Sequence, residues 1–221
     1  MQLTKWTDFD LPFIRQRYNR IADFFLFFEV LFFLPPGIRA RAVKQLQLRR
    51  GDRVLEIGCG TGRNLSLLRK AVGSEGHVFG VDLSEGMLEK ARRLCSKRRW
   101  ENVTLIHCDA VGYVAPESVD AVLFSLSYAT MPHHREVLQR AWDQLGEGKN
   151  LIIMDAKLPS GIPGRLLLPL TIWIMKKTVL GNPCIRPWEE LCELTDAFNK
   201  EEWLLGSYYI CSGRKPLSNE P

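Results

Sequence analysis

The sequence lacks the signatures of a metal or disulfide protein. Its six cysteines include no Cys-x-x-Cys pair, and its four histidines include one adjacent pair, His133-His134, with no cysteine or acid at ligand spacing. Zinc sites and disulfide frameworks are recognised by such regular spacings. We therefore expect scattered, reduced thiols in a cytosolic protein and no metal.

An apolar run long enough to cross a bilayer is also lacking. The run FFLFFEVLFFLPP at 24–36 contains one charge, Glu29, and is shorter than the about 20 apolar residues that a span requires. Charged residues precede it, which is unlike a signal peptide. Two interpretations remain. The run packs over the core as a helix, or its aromatic side chains enter the headgroup region while flanking arginines meet anionic lipid.

Excess positive charge is lacking outside the N-terminal segment. Residues 1–50 carry nine Lys/Arg and four Asp/Glu, a surplus of five that equals the net charge of the whole chain. A nucleic-acid-binding protein usually carries basic residues across a reading face. We therefore expect no nucleic-acid partner, and we interpret the run ARRLCSKRRW at 91–100 as a solvated helix face.

The chain after residue 50 alternates short apolar runs with helical patterns. The apolar runs lie at 53–57, 77–82, 103–108, 119–125 and 150–155, and the helical patterns at about 62–73, 85–98 and 134–145. This alternation indicates a parallel sheet with helices on both faces. Two further runs, EEWLLG and SYYICSG, meet at Gly206-Ser207, which suits a tight hairpin at an antiparallel edge. The tail at 215–221 is predicted to be disordered.

Three glycines follow the first apolar run, in the stretch LEIGCGTGRN. A strand that enters a helix through Gly58, Gly60 and Gly62 exposes bare backbone to a ligand, with the helix N-terminus facing it. The spacing GxGxG differs from the dinucleotide fingerprint GxGxxG, because Arg63 stands where the third glycine is expected. Glu56 precedes the first glycine by two residues and favours a ligand with an amino group over a pyrophosphate.

Acids also end the next two apolar runs. Asp82 lies 22 residues after Gly60, close to the spacing of a carboxylate that binds ribose hydroxyls. Taken alone, it is equally suited to cap the helix that begins near Ser84. Asp109 can accept a hydrogen bond from an exocyclic amine such as adenine N6, or cap a turn. Acids at three successive strand ends are a stronger signal than any one of them.

The stretches VLEIGCGTGRN, GVDLSEGML and CDA, in this order and spacing, resemble the cofactor-binding motifs of class I S-adenosylmethionine (SAM) dependent methyltransferases. The resemblance covers about residues 50–155. It implies an α/β fold with a doubly wound, mostly parallel, seven-stranded Rossmann-like sheet and an antiparallel C-terminal hairpin. It also implies SAM as cofactor, S-adenosylhomocysteine as product, and no metal.

The resemblance implies a role for each motif residue. Glu56 and the glycine loop would hold the methionine part of SAM, Asp82 the ribose, and Leu83 with Met87 the adenine ring, whose amine would meet Asp109. Ser125 would face the methionine side. The complete set of expected cofactor-binding residues is Tyr18, Glu56, Gly58, Cys59, Gly60, Gly62, Asn64, Asp82, Leu83, Met87, Asp109, Ala110 and Ser125.

Two segments indicate a subgroup. RYNRIADFF at 17–25 is similar to the N-terminal helix of quinone and phospholipid methyltransferases, in which a tyrosine closes over SAM. Tyr18 matches that tyrosine, while Asn19 replaces the usual acid. The apolar segment at 158–191 lies where that family inserts its substrate lid. The expected domains are an N-terminal lid or membrane-docking segment at 1–48, a SAM-binding domain at 49–214 with a helical lid insert at 158–200, and the tail.

Methyl transfer to a neutral amine needs positioning more than acid–base chemistry. The expected catalytic residues are Tyr18, Tyr128 and His134. His133 and His134 are the base candidates, with a place in the first turn of a helix as the alternative. The expected substrate-binding residues are Tyr208, Arg165 and Arg186, with packing or a solvated surface as the alternative.

The sequence thus predicts a SAM-dependent enzyme that methylates the amine headgroup of a membrane phospholipid at nitrogen. One alternative is a C- or O-methyltransferase of a quinone-like or other apolar small molecule, and another is a SAM- or lipid-binding module without turnover. The expected partners are the lipid or apolar substrate and an anionic membrane surface, for a cytoplasmic, peripherally attached monomer or homodimer.

Overall fold

Residues 11–21, 34–158, 161, 166, 169, 181–182 and 185–218 are described by the computed structural model. The described helices and strands, in chain order, are α1 Leu11–Ile21, α2 Ile38–Gln45, β1 Arg53–Ile57, α3 Leu65–Val72, β2 His77–Asp82, α4 Glu85–Arg98, β3 Val103–His107, β4 Val119–Ser125, α5 His134–Gln144, β5 Leu145–Ala156, α6 Pro187–Cys192, β6 Phe198–Trp203 and β7 Tyr208–Arg214. Short 3-10 turns lie at Ala110–Gly112 and Tyr128–Thr130. Arg165 and residues 24–33 of the apolar run lie outside the described residues.

The seven strands form one sheet in the order β3-β2-β1-β4-β5-β7-β6. Strands β1 to β5 pair in parallel, and β7 pairs antiparallel with both β5 and β6. This confirms the predicted mostly parallel sheet with an antiparallel C-terminal hairpin. The strand order reverses between β1 and β4, and ligands bind in open α/β sheets at such a switch point.

Helices cover both faces of the sheet because its central strands are apolar on both sides. On β4, Val122 and Phe124 face the layer formed by α5 and α6, while Ala121 and Leu123 face the layer formed by α2, α3 and α4. Strands buried on two faces read as continuous apolar runs, which is why the runs were visible in the sequence. None of the helices in the described ranges has the length and hydropathy that a bilayer span requires.

The C-terminal hairpin differs from the prediction in its turn. Trp203 pairs with Tyr208, so four residues, 204–207, connect the strands instead of the two predicted at Gly206-Ser207. Leu204 and Leu205 have positive φ angles of 50° and 56°, and their exposed fractions are 54% and 82%. The prediction of a two-residue turn was wrong because Leu204 and Leu205 look like a continuation of strand β6 in the sequence. Their left-handed backbone removes them from the hydrogen-bonded pairing of β6 with β7.

Residues 215–218 lie against the start of β5 and the C-terminus of α5. The backbone N–H of Lys215 donates to the carbonyl of Lys149 at 2.9 Å, and Gly148 N–H donates to the carbonyl of Lys215 at 2.8 Å. The Lys215 ammonium reaches the carbonyls of Trp142 and Leu145, both at 2.7 Å. A cation at a helix C-terminus satisfies carbonyls that the helix leaves unpaired.

Candidate active site

A cavity of about 930 Å³, including its open mouth, lies at the carboxyl ends of the parallel strands around the switch point. The glycine loop after β1 and the residues that follow β2, β3 and β4 line it, and α1 lies over it. Since the carboxyl ends of parallel strands meet at one edge of a sheet, motifs far apart in sequence converge here.

Glu56 is fully buried at the wall of this cavity. Its Oε1 accepts a hydrogen bond from Asn64 Nδ2 at 2.5 Å, while its Oε2 has no partner among the described residues. Burial raises the pKa of Glu56 to about 7, against the opposing effects of Asn64 and the nearby Arg39 guanidinium. A buried carboxylate oxygen without a partner is costly. This arrangement therefore fits a ligand that brings a cation to the cavity wall.

Arg39 on α2 reaches the same region of the cavity. Its Nη1 donates to Asn64 Oδ1 at 3.1 Å and to Ser125 Oγ at 2.9 Å. A guanidinium beside a carboxylate presents both charges that are complementary to the ammonium and carboxylate of an amino acid. The sequence analysis missed Arg39, because its contacts are 25 and 86 residues away along the chain and no local motif announces them.

The glycine loop depends on left-handed backbone at two cavity positions. At Gly58, φ is +72°, and a Cβ would lie 2.4 Å from the Cβ of Ser127. At Gly60, φ is +54°, and its N–H donates to Asp82 Oδ2 at 2.7 Å. Positive φ is readily adopted by glycine alone. The loop can therefore lie flat against both neighbouring strand ends and leave room for a ligand.

Asp82 and Asp109 line the cavity and also accept hydrogen bonds from backbone N–H groups. Asp82 Oδ1 accepts from Ser84 N–H at 2.8 Å, in addition to the bond from Gly60. Burial raises the pKa of Asp82, and these two backbone hydrogen bonds oppose that effect. Asp109 Oδ1 accepts from Val111 N–H at 3.2 Å, at the start of a 3-10 turn. Because an ionised carboxylate has about four acceptor positions, each acid can still receive a ligand hydroxyl or amine.

The wall between these two acids is apolar. Leu83 and Met87 line it from the start of α4, and Val111 and Val137 line it from the other side. Met87 is almost completely buried. A flat aromatic ring would fit such a wall, with a hydrogen-bonding acid at its edge.

Helix α1 covers the cavity and is attached to α4 through Asn19. Asn19 Oδ1 accepts from Ser84 Oγ at 2.6 Å and from Gly86 N–H at 3.0 Å, so it binds the N-terminal turn of α4. One face of α1 lines the cavity with Leu11, Ile14, Arg15 and Tyr18. Tyr18 is hydrogen-bonded to Thr130, and burial raises the pKa of its phenol, which therefore stays protonated at neutral pH.

We expect Asn19→Ala to weaken ligand binding through loss of the α1 attachment. The two lost hydrogen bonds contribute about 0.5–1.5 kcal/mol each, so the dissociation constant for SAM should rise about 5- to 150-fold. Asn19→Asp should bind at least as well as the natural residue, because a carboxylate accepts the same two hydrogen bonds and is favoured at a helix N-terminus. Calorimetric titration of SAM measures both. Equal losses in the two variants would contradict this role.

Tyr128 and His134, predicted to be catalytic, do not line the cavity. Tyr128 is fully buried, and its hydroxyl donates to Glu190 Oε2 at 2.6 Å. His134 Nε2 lies 3.1 Å from Glu190 Oε1. The Tyr128 and His134 rings meet edge to face at 5.5 Å. Burial would raise the pKa of Glu190, but the hydrogen bonds from His134 and Tyr128 outweigh it and hold that pKa below its usual range.

The cavity histidine is His133. It stands at the position before α5, is exposed, and lines the cavity mouth. Successive helical residues point about 100° apart, so one residue of an adjacent pair faces the cavity and the other faces Glu190. The sequence could not decide which.

Two of the predicted substrate-binding residues, Tyr208 and Arg186, do not meet at the cavity either, and the third, Arg165, lies outside the described residues. Tyr208 is buried at the start of β7, next to β5, and Arg186 is exposed before α6, where its Nη1 pairs with Glu189 Oε1 at 3.0 Å. Neither lines the cavity. The reason is the sheet order, in which two strands, β4 and β5, separate β7 from β1.

The comparisons with known proteins agree with this geometry. Residues 54–148 match the family model of a methyltransferase domain. The chain is 35% identical over 150 residues to aklanonic acid methyltransferase DauC of a Streptomyces species, covering 67% of each chain. It is 32% identical over 127 residues to demethylmenaquinone methyltransferase of Listeria monocytogenes, covering 57% of this chain and 53% of the relative.

The chain belongs to the class I SAM-dependent methyltransferases.

A solved structure shows the same fold. Phosphoethanolamine N-methyltransferase 2 of Haemonchus contortus, in complex with phosphomonomethylethanolamine and S-adenosylhomocysteine, superposes with a TM-score of 0.74 at 18% identity, covering 95% of this chain and 61% of the other. The present chain spans about half the length of the menaquinone relatives it matches.

SAM, the cofactor of this methyltransferase family, fits the residues of the cavity. The unpaired oxygen of Glu56 would bind the ammonium group, Arg39 would bind the carboxylate, and Asp82 would bind the ribose hydroxyls. All of the predicted cofactor residues except Gly62 line this one cavity. Gly62 lies behind it, where a Cβ would meet Leu65 Cδ1 at 2.7 Å. Within the described part of the chain, no group of three or more His, Cys, Asp or Glu side chains is arranged to hold a metal.

Proposed function

We propose that this methyltransferase transfers a methyl group from SAM to the amine nitrogen of a membrane phospholipid headgroup. One observation carries the proposal: the cavity has two chemically distinct sides. The acids Glu56, Asp82 and Asp109 lie at the strand ends, whereas α1 and the turn before α5 supply Leu11, Tyr18 and His133. This second side has an apolar, aromatic lining and a histidine, which suits an acceptor with an aliphatic body and an amine.

The chemistry requires an amine with a free lone pair. SAM, when bound, supplies an electrophilic methyl group on a positively charged sulfur. The acceptor nitrogen forms the new N–C bond as the S–C bond breaks, and the electron pair of that bond stays on sulfur. His133 accepts the proton that an ammonium headgroup must lose. Leu11 and Ile14 exclude water, and the Tyr18 ring offers a π face to the methylated, positively charged product.

Peripheral attachment to an anionic membrane is part of the proposal. The sequence supports it with the surplus of positive charge in residues 1–50 and the apolar run at 24–36. Each Lys or Arg near an anionic surface contributes about 1 kcal/mol to attachment. A lipid acceptor would then reach the cavity mouth without leaving the bilayer.

The functional experiment offers acceptors of both chemical classes to the purified chain. Labelled SAM is incubated with vesicles that contain phosphatidylethanolamine and, separately, with a reduced naphthoquinone that lacks its ring methyl group. We expect label in the phospholipid headgroup. Label in the quinone alone would replace the proposal with the second candidate, and SAM binding without label in either would favour a binding module.

The second candidate, C- or O-methylation of a quinone-like molecule, is favoured by a specific observation. The two relatives above that match at 32–35% identity are named for demethylmenaquinone and aklanonic acid. The apolar wall of the cavity would also accept such a ring. The two candidates differ in what they require of a base.

We expect His133→Ala to lower kcat about 100-fold near neutral pH, at the low end for general acid–base catalysis. For an amine acceptor, the loss should shrink in alkaline buffer, where the ammonium deprotonates in water. His134→Ala is the matched control: it should lower the melting temperature, because Glu190 loses a partner, and leave kcat within a few fold. Steady-state assays across pH measure both. A loss that persists in alkaline buffer would favour carbon or oxygen methylation.

A further inference from the structure

Arg15 is the one charged residue on the face of α1 that lines the cavity. That face consists of Leu11, Ile14, Arg15 and Tyr18, spaced three and four residues apart. The other three side chains are apolar or aromatic. Arg15 is exposed, which places it at the mouth and not at the floor of the cavity.

The guanidinium of Arg15 has no hydrogen-bond or ion-pair partner among the described residues. By contrast, Arg39 lies in the cavity and is hydrogen-bonded to Asn64 and Ser125 beside Glu56. The methionine end of the cofactor therefore already has a cation. Arg15 is available for a different anion.

The mouth of the cavity carries two arginines and a histidine. Arg63 from the glycine loop and His133 from the start of α5 line the cavity together with Arg15, and all three are exposed. The acids of the cavity lie at the strand ends, and Asp82 and Asp109 are engaged with backbone N–H groups there. Cations at the mouth, apart from these acids, raise the local concentration of anionic ligands there.

We propose that Arg15 binds a phosphate of the methyl acceptor at the cavity mouth. This inference rests on the proposed function and names the chemical group that the enzyme selects. The planar fork of a guanidinium matches two oxygens of a phosphate. An acceptor held there by its phosphate extends its amine past Tyr18 into the cavity, towards the methionine end. A free phosphomonoester and a lipid phosphodiester both have this chemistry.

The test compares Arg15→Gln with Arg20→Gln. Arg20 is exposed on the same helix, does not line the cavity, and loses the same charge. Three acceptors are assayed: phosphatidylethanolamine in vesicles, water-soluble phosphoethanolamine, and a long-chain primary amine without phosphate. We expect Arg15→Gln to raise KM about 10- to 100-fold for whichever phosphate-bearing acceptor is used, the range for hydrogen bonds to a charged group. KM for the plain amine and the dissociation constant of SAM should stay within a few fold.

Other outcomes would overturn the inference. Equal losses in the two variants, confined to vesicles, would mean that α1 contributes only surface charge. A parallel loss of SAM affinity in Arg15→Gln would assign the residue to the cofactor. Unchanged kinetics with phosphate-bearing acceptors would exclude the contact.

A binding measurement separates this inference from the proposed function. Phosphoethanolamine is titrated by calorimetry into the protein loaded with S-adenosylhomocysteine, for the natural chain and for Arg15→Gln. Binding that depends on Arg15 but no turnover of any phosphate-bearing acceptor would preserve the anion site and refute amine methylation. Turnover of a phosphate-bearing acceptor whose binding does not depend on Arg15 would support amine methylation and refute the anion site.

Discussion

Glu56→Gln should raise the dissociation constant of SAM about 100- to 4,000-fold, because it removes the negative charge that would meet the ammonium group. Removing one partner of a buried ion pair costs about 3–5 kcal/mol, and each 1.4 kcal/mol is about a factor of ten. Fold disruption should be small, since the glutamine carbonyl can still accept the hydrogen bond from Asn64 Nδ2. Calorimetric titration and thermal unfolding of the same sample give the two quantities.

Glu190→Gln is the matched control for this substitution. Glu190 is also a buried glutamate, but it lies outside the cavity and binds Tyr128 and His134. Its substitution should lower stability and leave SAM binding unchanged. If both variants lost SAM affinity equally, the effect would reflect loss of structure and not the charge at Glu56.

The same carboxylate predicts how SAM affinity changes with pH. Because burial raises the pKa of Glu56 to about 7, the cofactor-free protein carries the neutral acid below that pH. Binding of an ammonium group requires the anion, so affinity should fall about tenfold per pH unit below about 7 and level off above it. The Glu56→Gln variant should lose this dependence. Asp155 has a pKa raised by burial to about 6 and lies outside the cavity lining. The natural chain and the Glu56→Gln variant should therefore both protonate Asp155 near that pH.

Gly58→Ala should abolish measurable SAM binding and lower the free energy of unfolding by about 2–5 kcal/mol. A left-handed φ costs a non-glycine residue about 1–2 kcal/mol, and overpacking costs about 1–3 kcal/mol more. The new Cβ would lie 2.4 Å from the Ser127 Cβ and 2.8 Å from its Oγ. Ser127 cannot move aside freely, because its hydroxyl donates to the carbonyl of Ile57 at 2.7 Å.

Two further variants separate the strain from the clash. Gly51 has a φ of +90° and open space around its Cβ position, so Gly51→Ala should show the strain alone and bind SAM normally. Adding Ser127→Gly to Gly58→Ala removes the clashing atoms and should recover part of the stability and the binding. A double variant no better than Gly58→Ala would show that the contact with Ser127 is not the cause.

The features that the sequence predicted are those that local patterns encode. The strand ends at Glu56, Asp82 and Asp109 were predicted because apolar runs, a glycine loop and an acid follow one another within a few residues. The parallel sheet then brings them together without further information. The seven-stranded fold was confirmed for the same reason, since the strands of the parallel part and β7 each contain an apolar run. The edge strand β6, FNKEEW, is the exception.

The missed residues are those defined by long-range contacts. Arg39 joins the site through Ser125, 86 residues away, and Asn19 attaches α1 through Ser84, 65 residues away. Arg39 lies in no motif, and Asn19 lies in the RYNRIADFF stretch, whose pattern does not name a partner on α4. The sequence analysis named His134 as catalytic where the structure places His133 at the cavity, and this error has a different cause. The helical phase at the start of α5 is fixed by the packing of Val137, Leu138 and Ala141 against the sheet. A shift of one residue at a helix start changes which side chain faces the site.

The attachment of α1 has a consequence for the departure of S-adenosylhomocysteine. Besides its packing on α4, the helix is fastened across the cavity by the two hydrogen bonds that Asn19 accepts and by the contact between Tyr18 and Thr130. Bonds of this kind contribute about 0.5–1.5 kcal/mol each, so they break often enough for the helix to swing aside without unfolding of the sheet. Such gating motions set the turnover of many enzymes. The residence time of the spent nucleoside would then depend on two side chains of α1, the amide of Asn19 and the phenol of Tyr18.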